Sequence, residues 1–479
     1  MSELTWVRLP DLLAHELVAS THEGKDVAAI GERWRSAGGV VEAPVGGRGP
    51  AASDAASEAA LWALAGELLD QLAELPADPA LTAREPTDLA AIEAVSPAVG
   101  TEPAPAPQSP EFRVVAGVEA STPSTSRNSS DIEDRVKGAW LGRAAGCLLG
   151  KPVEKIPREG IREILRSQDR WPLRTWFTAK DLPDEVARRW PWNRRSAANS
   201  LAENIVGMPE DDDLNFALVA LSVLERNGPD FTSGDVADGW LAGLPAGRVF
   251  TAERVAYRNL LLGLTPPATA TYRNPYREWI GAQIRTDVYG WVNPGEPVAA
   301  ARMAWRDAVV SHVRSGVYGA MFVAAMCSAA VVAERIDEVV EAGLSVLPPD
   351  SRYAAAVRRG AELGRDHGRS IEAGFDAIAA DYGHLHWVHA LNNACLVAYA
   401  LTRSRGDFSD AICTVVMGGW DTDSNGATVG SVCGALAGAR ALPAEWVAPL
   451  RNRLASSLPG FDGIGFDTLT DRTLAVMPR

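Results

Sequence analysis

Residues 138–150 read GAWLGRAAGCLLG, and residues 426–438 read GATVGSVCGALAG. Glycine returns every fourth position in both: Gly138, Gly142, Gly146 and Gly150 in the first, Gly426, Gly430, Gly434 and Gly438 in the second. Each glycine weakens a helix by about 1 kcal/mol relative to alanine, so each segment gives up roughly 4 kcal/mol of propensity. Something must compensate. A four-residue step turns about 400° around a helix, so the glycines drift by only about 40° per step and stay on one flank. A flank without Cβ atoms lets another backbone approach closely. The two stripes predict tightly packed helices forming a compact helical centre that carries a site.

Outward from these segments, the chain from Asp131 onward is a succession of Ala-rich helical patterns split by Gly/Pro turns. Sustained alternation of β-branched residues is nearly absent, which disfavours a sheet and predicts an all-α fold. Residues 1–95 are helical too: Leu61, Trp62, Leu64, Leu68, Leu69, Leu72 and Leu75 fall at three- and four-residue spacings. A second helix near residues 22–36 is expected to stop at Gly38-Gly39. Between the two parts, residues 96–130 hold six prolines and seven serines. Such a segment buries too little apolar surface to order itself. The expected organisation is a small acidic helical module (1–95), a Pro/Ser-rich linker (96–130) and a catalytic domain (131–479), with the module separable near residue 125.

The 479 residues carry a net charge of −15, and residues 1–130 supply 19 acidic against 8 basic side chains. That balance excludes a protein built to bind a nucleic-acid backbone, whose footprint is basic. The five cysteines (Cys147, Cys327, Cys395, Cys413 and Cys433) are scattered through apolar runs without zinc or disulfide spacing, which suits a reducing cytoplasm. The N-terminus lacks the basic and apolar regions of a signal peptide. Residues 315–333 contain no charge and match the length of a membrane span, but a wholly buried helix is the expectation in a helical domain of this size.

Chemistry concentrates in two acidic clusters. Asp211-Asp212-Asp213, preceded by Glu210, opens a Leu/Ala-rich helical run. Acidic residues are ordinary at a helix N-terminus, but four adjacent ones repel, and a hard divalent cation would relieve the cost. In GGWDTDSNGATVG, Asp421 and Asp423 are one residue apart, so an extended turn aims both at one point, and Ser424 adds a hydroxyl. The plain alternative is a turn and helix cap. Glu154 follows the first glycine segment in GKPVEK, where a lone surface glutamate is the default. His386 and His389 lie at helical spacing and read as packed polar residues rather than metal ligands. Ser311-His312 does not read as a nucleophile and base, because adjacent side chains on a helix do not face each other.

Taken together, these residues resemble the ADP-ribosylglycohydrolase family over about residues 132–479: a glycine-rich first helix ending in P-V-E, an acidic run opening a helix, and a late G-G-x-D-T-D-S-N-G-A-x-x-G. The resemblance implies an all-α fold with a dinuclear magnesium, sometimes manganese, centre that cleaves the C1″ glycosidic bond of ADP-ribose conjugates. Carried over by position, the usual Thr-Asp-Asp-Thr falls on Asp211, Asp212, Asp213 and Leu214. The usual Asp-Thr-Asp-Thr/Ser falls on Asp421, Thr422, Asp423 and Ser424, and the acidic residue closing the first helix falls on Glu154. The implied metal ligands are Asp211, Asp212, Asp213, Asp421, Asp423 and Ser424, with Glu154, Asp212 and Asp423 as catalytic residues. Several positions depart from the pattern: Asp211 stands where Thr is usual, Leu214 has no hydroxyl, Cys147 replaces an Asp, and Trp420 follows the Gly-Gly. His312 falls near a Ser/Thr-His pair of some members, which favours a place lining the site.

The expected function is a cytoplasmic, Mg-dependent glycosidic hydrolase acting on an ADP-ribosylated protein or a small ribosylated or nucleotide substrate, with neither nucleic acid nor membrane as partner. The alternatives are a non-catalytic binding or structural member of the same fold, against which the retained carboxylates argue, and a Mg-dependent phosphohydrolase.

Overall fold

The two glycine stripes face each other. In the computed structural model, which describes residues 4–50, 54–98, 129–193 and 196–478, the first stripe lies on the helix Ser129–Gly150 and the second on Thr422–Ala437. The helices run antiparallel, with Gly138 against Gly434, Gly142 against Gly430, Gly146 against Gly426 and Gly150 against Thr422. A Cβ placed on any of these four glycines of the first helix would sit inside a carbonyl oxygen of the second. The backbones touch directly, so the close packing and Cα–H···O contacts offset the propensity the glycines give up. Pro152 cannot continue the helix, and the chain leaves it through a single 3-10 turn, Lys151–Val153. The second helix stops at Gly438, in left-handed backbone at φ +79°.

Around this pair the architecture is all-α. Among the described residues, extended pairing is limited to isolated bridges such as Trp279 with His389. The charge-free run from residue 315 forms most of the helix Arg314–Ala330, in which every residue from Ser315 to Ala330 is buried. Apolar and small side chains all round this helix therefore serve the core. No helix among the described residues is long and apolar enough to cross a membrane. The acidic run caps Asp212–Asn227, where Asp211 is the N-cap and accepts from the Asp213 N–H at 2.9 Å.

The N-terminal helices, which include Leu9–His22, Ala28–Ser36 and Ala55–Glu74, are seated on the larger part. Helix Ala28–Ser36 starts later than the pattern suggested, because Gly24, at φ +73°, first ends Leu9–His22. Arg277, buried, pairs with Glu16 at 2.7 Å and with Glu23 at 2.6 Å. Arg352 pairs with Glu85 at 2.7 Å, and the Trp305 indole donates to the Thr87 carbonyl at 2.8 Å. Trp6 packs edge-on against Tyr276 and Trp279. The expectation of a module that folds apart thus meets a shared core closed by buried ion pairs. Sequence pattern marked a linker without showing that both sides of it bury the same surface. Most of that linker, residues 99–128, lies outside the described residues.

Candidate active site

Three chain segments meet where the glycine helices end. The Thr422 hydroxyl donates to the Gly150 carbonyl at 2.8 Å, tying the start of one helix to the end of the other. Gly419 and Trp420, both at positive φ (+81° and +62°), turn the chain sharply just before Asp421. Arg143, fully buried on the first glycine helix, donates to the Asp213 carbonyl through Nε at 3.2 Å and through Nη2 at 2.6 Å, and pairs with Asp287 at 2.8 Å. That arginine fixes the start of the triple-aspartate helix against the pair.

The result is a cavity of about 740 Å³ whose walls include Glu154, Asp211, Asp212, Asp213, Asp421, Asp423 and Ser424. All seven residues expected from the sequence are brought together. The Ser424 hydroxyl donates to Asp213 Oδ2 at 3.3 Å, joining the two acidic clusters. Leu214, at the position of the usual hydroxyl, is wholly buried in the core.

The electrostatics are those of crowded carboxylates. Burial, then the charges of Asp211 and Asp423, hold Asp212 and Asp213 well above the usual carboxylate range. Asp421 is raised by burial and then by Asp423, and burial followed by Glu154 pushes Asp423 up to about 7. Asp211 alone moves the other way. Burial raises it, but its ion pair with Lys151 and the hydrogen bond from Asp213 outweigh burial and hold it below its usual value.

Glu154, Asp421 and Asp423 each offer an oxygen within 4.8 Å of the others, and so do the Cys147 sulfur and the oxygens of Asp211 and Asp213. The first trio is all carboxylate, the donor set of a hard cation such as Mg2+ or Mn2+. With Asp212 lining the same cavity, it fits one ion. Asp213 Oδ1 is buried without a hydrogen-bond partner, 3.9 Å from the Arg143 guanidinium. The second trio fits a hard cation less well. Burial pushes the Cys147 thiol well above its usual range and keeps it protonated. The Lys151 ammonium, itself buried, already neutralises Asp211.

The expected packing of His386 and His389 holds, but the helices assumed for them and for Ser311-His312 do not. His386 and His389 sit on a turn before the helix Ala390–Arg403, not on a helix. His386 stacks on Trp279 with ring centroids 4.2 Å apart, and His389 caps the helix. Burial lowers them to about 4 and about 3, so both are packed neutral rings. Ser311 and His312 lie on a turn after Pro297–Ala308, so their side chains do meet, Oγ to Nδ1 at 2.8 Å. The adjacency argument fails there because it assumed a helix. Both residues are wholly buried, and His312 is absent from the cavity wall, 4.0 Å behind the lining residue Glu253.

The sequence profile of the ADP-ribosylglycohydrolase family matches residues 128–476. The chain belongs to the ADP-ribosylglycohydrolase family. An uncharacterized protein of Archaeoglobus fulgidus is 24% identical over 326 residues, covering 67% of this chain and 93% of its own length. A solved structure described as an ADP-ribosylglycohydrolase-related protein complex aligns with a TM-score of 0.45 at 21% identity, over 73% of this chain and 98% of that one. The family match begins where the first glycine helix begins, and residues 1–127 lie outside the match.

Sequence reasoning missed four contributors to the cavity. Lys151 was legible: Arg143, Cys147 and Lys151 each follow a stripe glycine and repeat every four residues, so they share one helix flank. Asn193 donates to Glu154 Oε2 at 2.6 Å, and Lys155 pairs with its Oε1 at 3.0 Å. Nothing in the spacing of Asn193 pointed to it. The fourth contributor is the N-terminal segment, whose Thr5, Trp6, Gly46 and Gly47 line the cavity.

Proposed function

We propose that the protein is a divalent-cation-dependent hydrolase of the C1″ glycosidic bond of an ADP-ribosylated or related ribosylated substrate. The observation that carries this reading is the convergence of Glu154, Asp421 and Asp423 on one cavity in a chain of a glycohydrolase family. Asp212, Asp421, Asp423 and Ser424 are the residues that would hold Mg2+ or Mn2+ there. Asp211 and Asp213 complete the second position of a dinuclear centre only once Lys151 moves off Asp211. A bound divalent cation supplies fixed positive charge next to the ribose hydroxyls.

The remaining work belongs to the chain. Glu154 is half-buried, and both of its oxygens are held, by Asn193 and by Lys155. A carboxylate so fixed at the cavity wall takes the proton of an incoming water as the anomeric carbon becomes oxocarbenium-like, and returns a proton to the leaving group. Asp212 and Asp423, both held toward protonation by burial and neighbours, are the alternative proton carriers, and a cation would draw them to the ionised form.

A mass-spectrometric screen of ADP-ribosyl-arginine, ADP-ribosyl-serine, O-acetyl-ADP-ribose and simple ribosides, with Mg2+ and with chelator, tests the proposal. Release of ADP-ribose or ribose that stops with chelator is expected. Release of inorganic phosphate alone would identify a phosphohydrolase instead. Tight binding of these compounds without turnover would identify a binding protein.

A further inference from the structure

The cavity is completed by residues that the glycohydrolase domain does not contain. Thr5, Trp6, Gly46 and Gly47 form part of its wall, and all lie upstream of residue 128, where the family match begins. This wall is pinned at both ends. Arg254 donates through Nη1 to the Thr5 carbonyl at 2.9 Å, on the side where Phe250 and Thr251 line the cavity. The Trp387 indole donates to the Val45 carbonyl at 3.0 Å, on the side where Lys155 lies 5.6 Å from the Trp387 ring.

Within the wall the two strands of chain clasp each other. The Trp6 N–H donates to the Gly47 carbonyl at 2.8 Å. A Cβ on Gly47 would meet Thr5 Cβ at 2.5 Å and Trp6 Nε1 at 2.6 Å, so only glycine allows this approach. Trp6 is held at φ +68°, a conformation costly for a bulky residue and kept only where the surroundings impose it. Gly46 differs from its neighbour. Its Cβ would meet nothing within 4 Å and its φ is not left-handed, so a side chain there enters open space without strain.

We propose that Thr5, Trp6, Gly46 and Gly47 are the specificity wall of this enzyme, and that the substrate is a ribosylated small molecule whose end distal to the ribose abuts it. This inference rests on the proposed glycosidic function. The wall is tied to the rest of the molecule by Arg254 at Thr5 and by Trp387 at Val45, and the helix that follows Trp6 is held by Arg277 with Glu16 and Glu23. A cavity of about 740 Å³ is of the size that encloses a complete small ligand.

The test uses the full chain with Mg2+ and free ADP-ribose as the calorimetric probe, comparing wild type with Gly46→Ala and Gly46→Leu. The expected result is an unchanged melting temperature in both variants, near-normal binding for Gly46→Ala and at least tenfold weaker binding for Gly46→Leu. Wild-type affinity in a folded Gly46→Leu variant overturns the wall. Failure of the wild type to bind any ribosyl compound overturns the functional reading, and the wall with it. In a parallel arm, free ADP-ribosyl-arginine should be cleaved with a kcat/KM at least tenfold above that of an ADP-ribosylated peptide. Equal or better turnover of the peptide overturns the small-molecule assignment.

Discussion

At the scale of single residues, Glu154 and Lys151 divide the site. Glu154→Gln keeps the shape but removes the basic oxygen, and its single amide oxygen can accept from only one of the two donors, Asn193 and Lys155. General acid–base contributions are about 10²–10⁴-fold, so kcat should fall by that factor while the divalent-ion affinity measured by calorimetry falls less than in Asp423→Asn. Wild-type turnover from about pH 6 to pH 9 would make Glu154 a helix-end charge and nothing more. Lys151 supplies one positive charge to the acidic cluster from within the chain. Wild-type protein titrated with Mn2+ should therefore show one strong site, and Lys151→Met, which frees Asp211 while keeping the bulk, should show two. An equal count in both proteins would mean that the ammonium does not compete with an ion. The carboxylates also set a pH dependence. Asp423, held up at about 7, binds its proton more tightly folded than unfolded, so stability of the metal-free protein falls as pH rises from about 4 to 7. Divalent ions reverse that loss, so the rise in Tm on adding Mg2+ should be larger at pH 8 than at pH 5.5 in thermal melts.

At the scale of elements, the paired glycine helices hold the site together. Their contact is backbone on backbone, and the Thr422–Gly150 hydrogen bond places Glu154 and Asp421 at adjacent ends. Helix propensity alone predicts that Gly146→Ala stabilises the protein by about 1 kcal/mol. The structure predicts the reverse. The new methyl group would lie inside the Gly426 carbonyl, and forcing the helices apart costs about 1–3 kcal/mol or more. A lower urea midpoint for Gly146→Ala, with weaker divalent-ion binding because the two acidic clusters separate, is the expected outcome. A higher midpoint would show that the stripe is dispensable.

At the scale of the whole molecule, the N-terminal helices and the glycohydrolase domain share one hydrophobic core. A chain starting at residue 126 would expose Tyr276 and Trp279 and leave Arg277, Arg314 and Arg352 without the partners Glu16, Glu23 and Glu85. It should melt at a clearly lower temperature than the full chain in calorimetry, and with less cooperativity. A melt as sharp and as high as that of the full chain would restore the reading of residues 1–95 as an independent module.

Much of this molecule is determined by local pattern. Four-residue glycine spacing specifies a smooth helix flank whatever lies opposite, and helical periodicity without strand alternation specifies an all-α chain. The acidic clusters were visible because like charges that crowd along a chain need a reason to do so. What the sequence could not carry is which distant surfaces meet. That the stripes pair with each other in antiparallel register, that Asn193 steadies Glu154, and that Ser311 faces His312 across a turn all depend on the path of the chain between them. Lys151 sat in plain view beside Pro152, yet its role appears only where the helix flank is set against Asp211. The N-terminal segment is the clearest case. Its composition reads as a detached acidic module, and only packing shows its acidic residues neutralised by arginines some 260 positions away and its Trp6 in the cavity wall. Charge and periodicity are local properties of a chain, whereas complementarity belongs to two surfaces at once, and only the folded molecule brings both together.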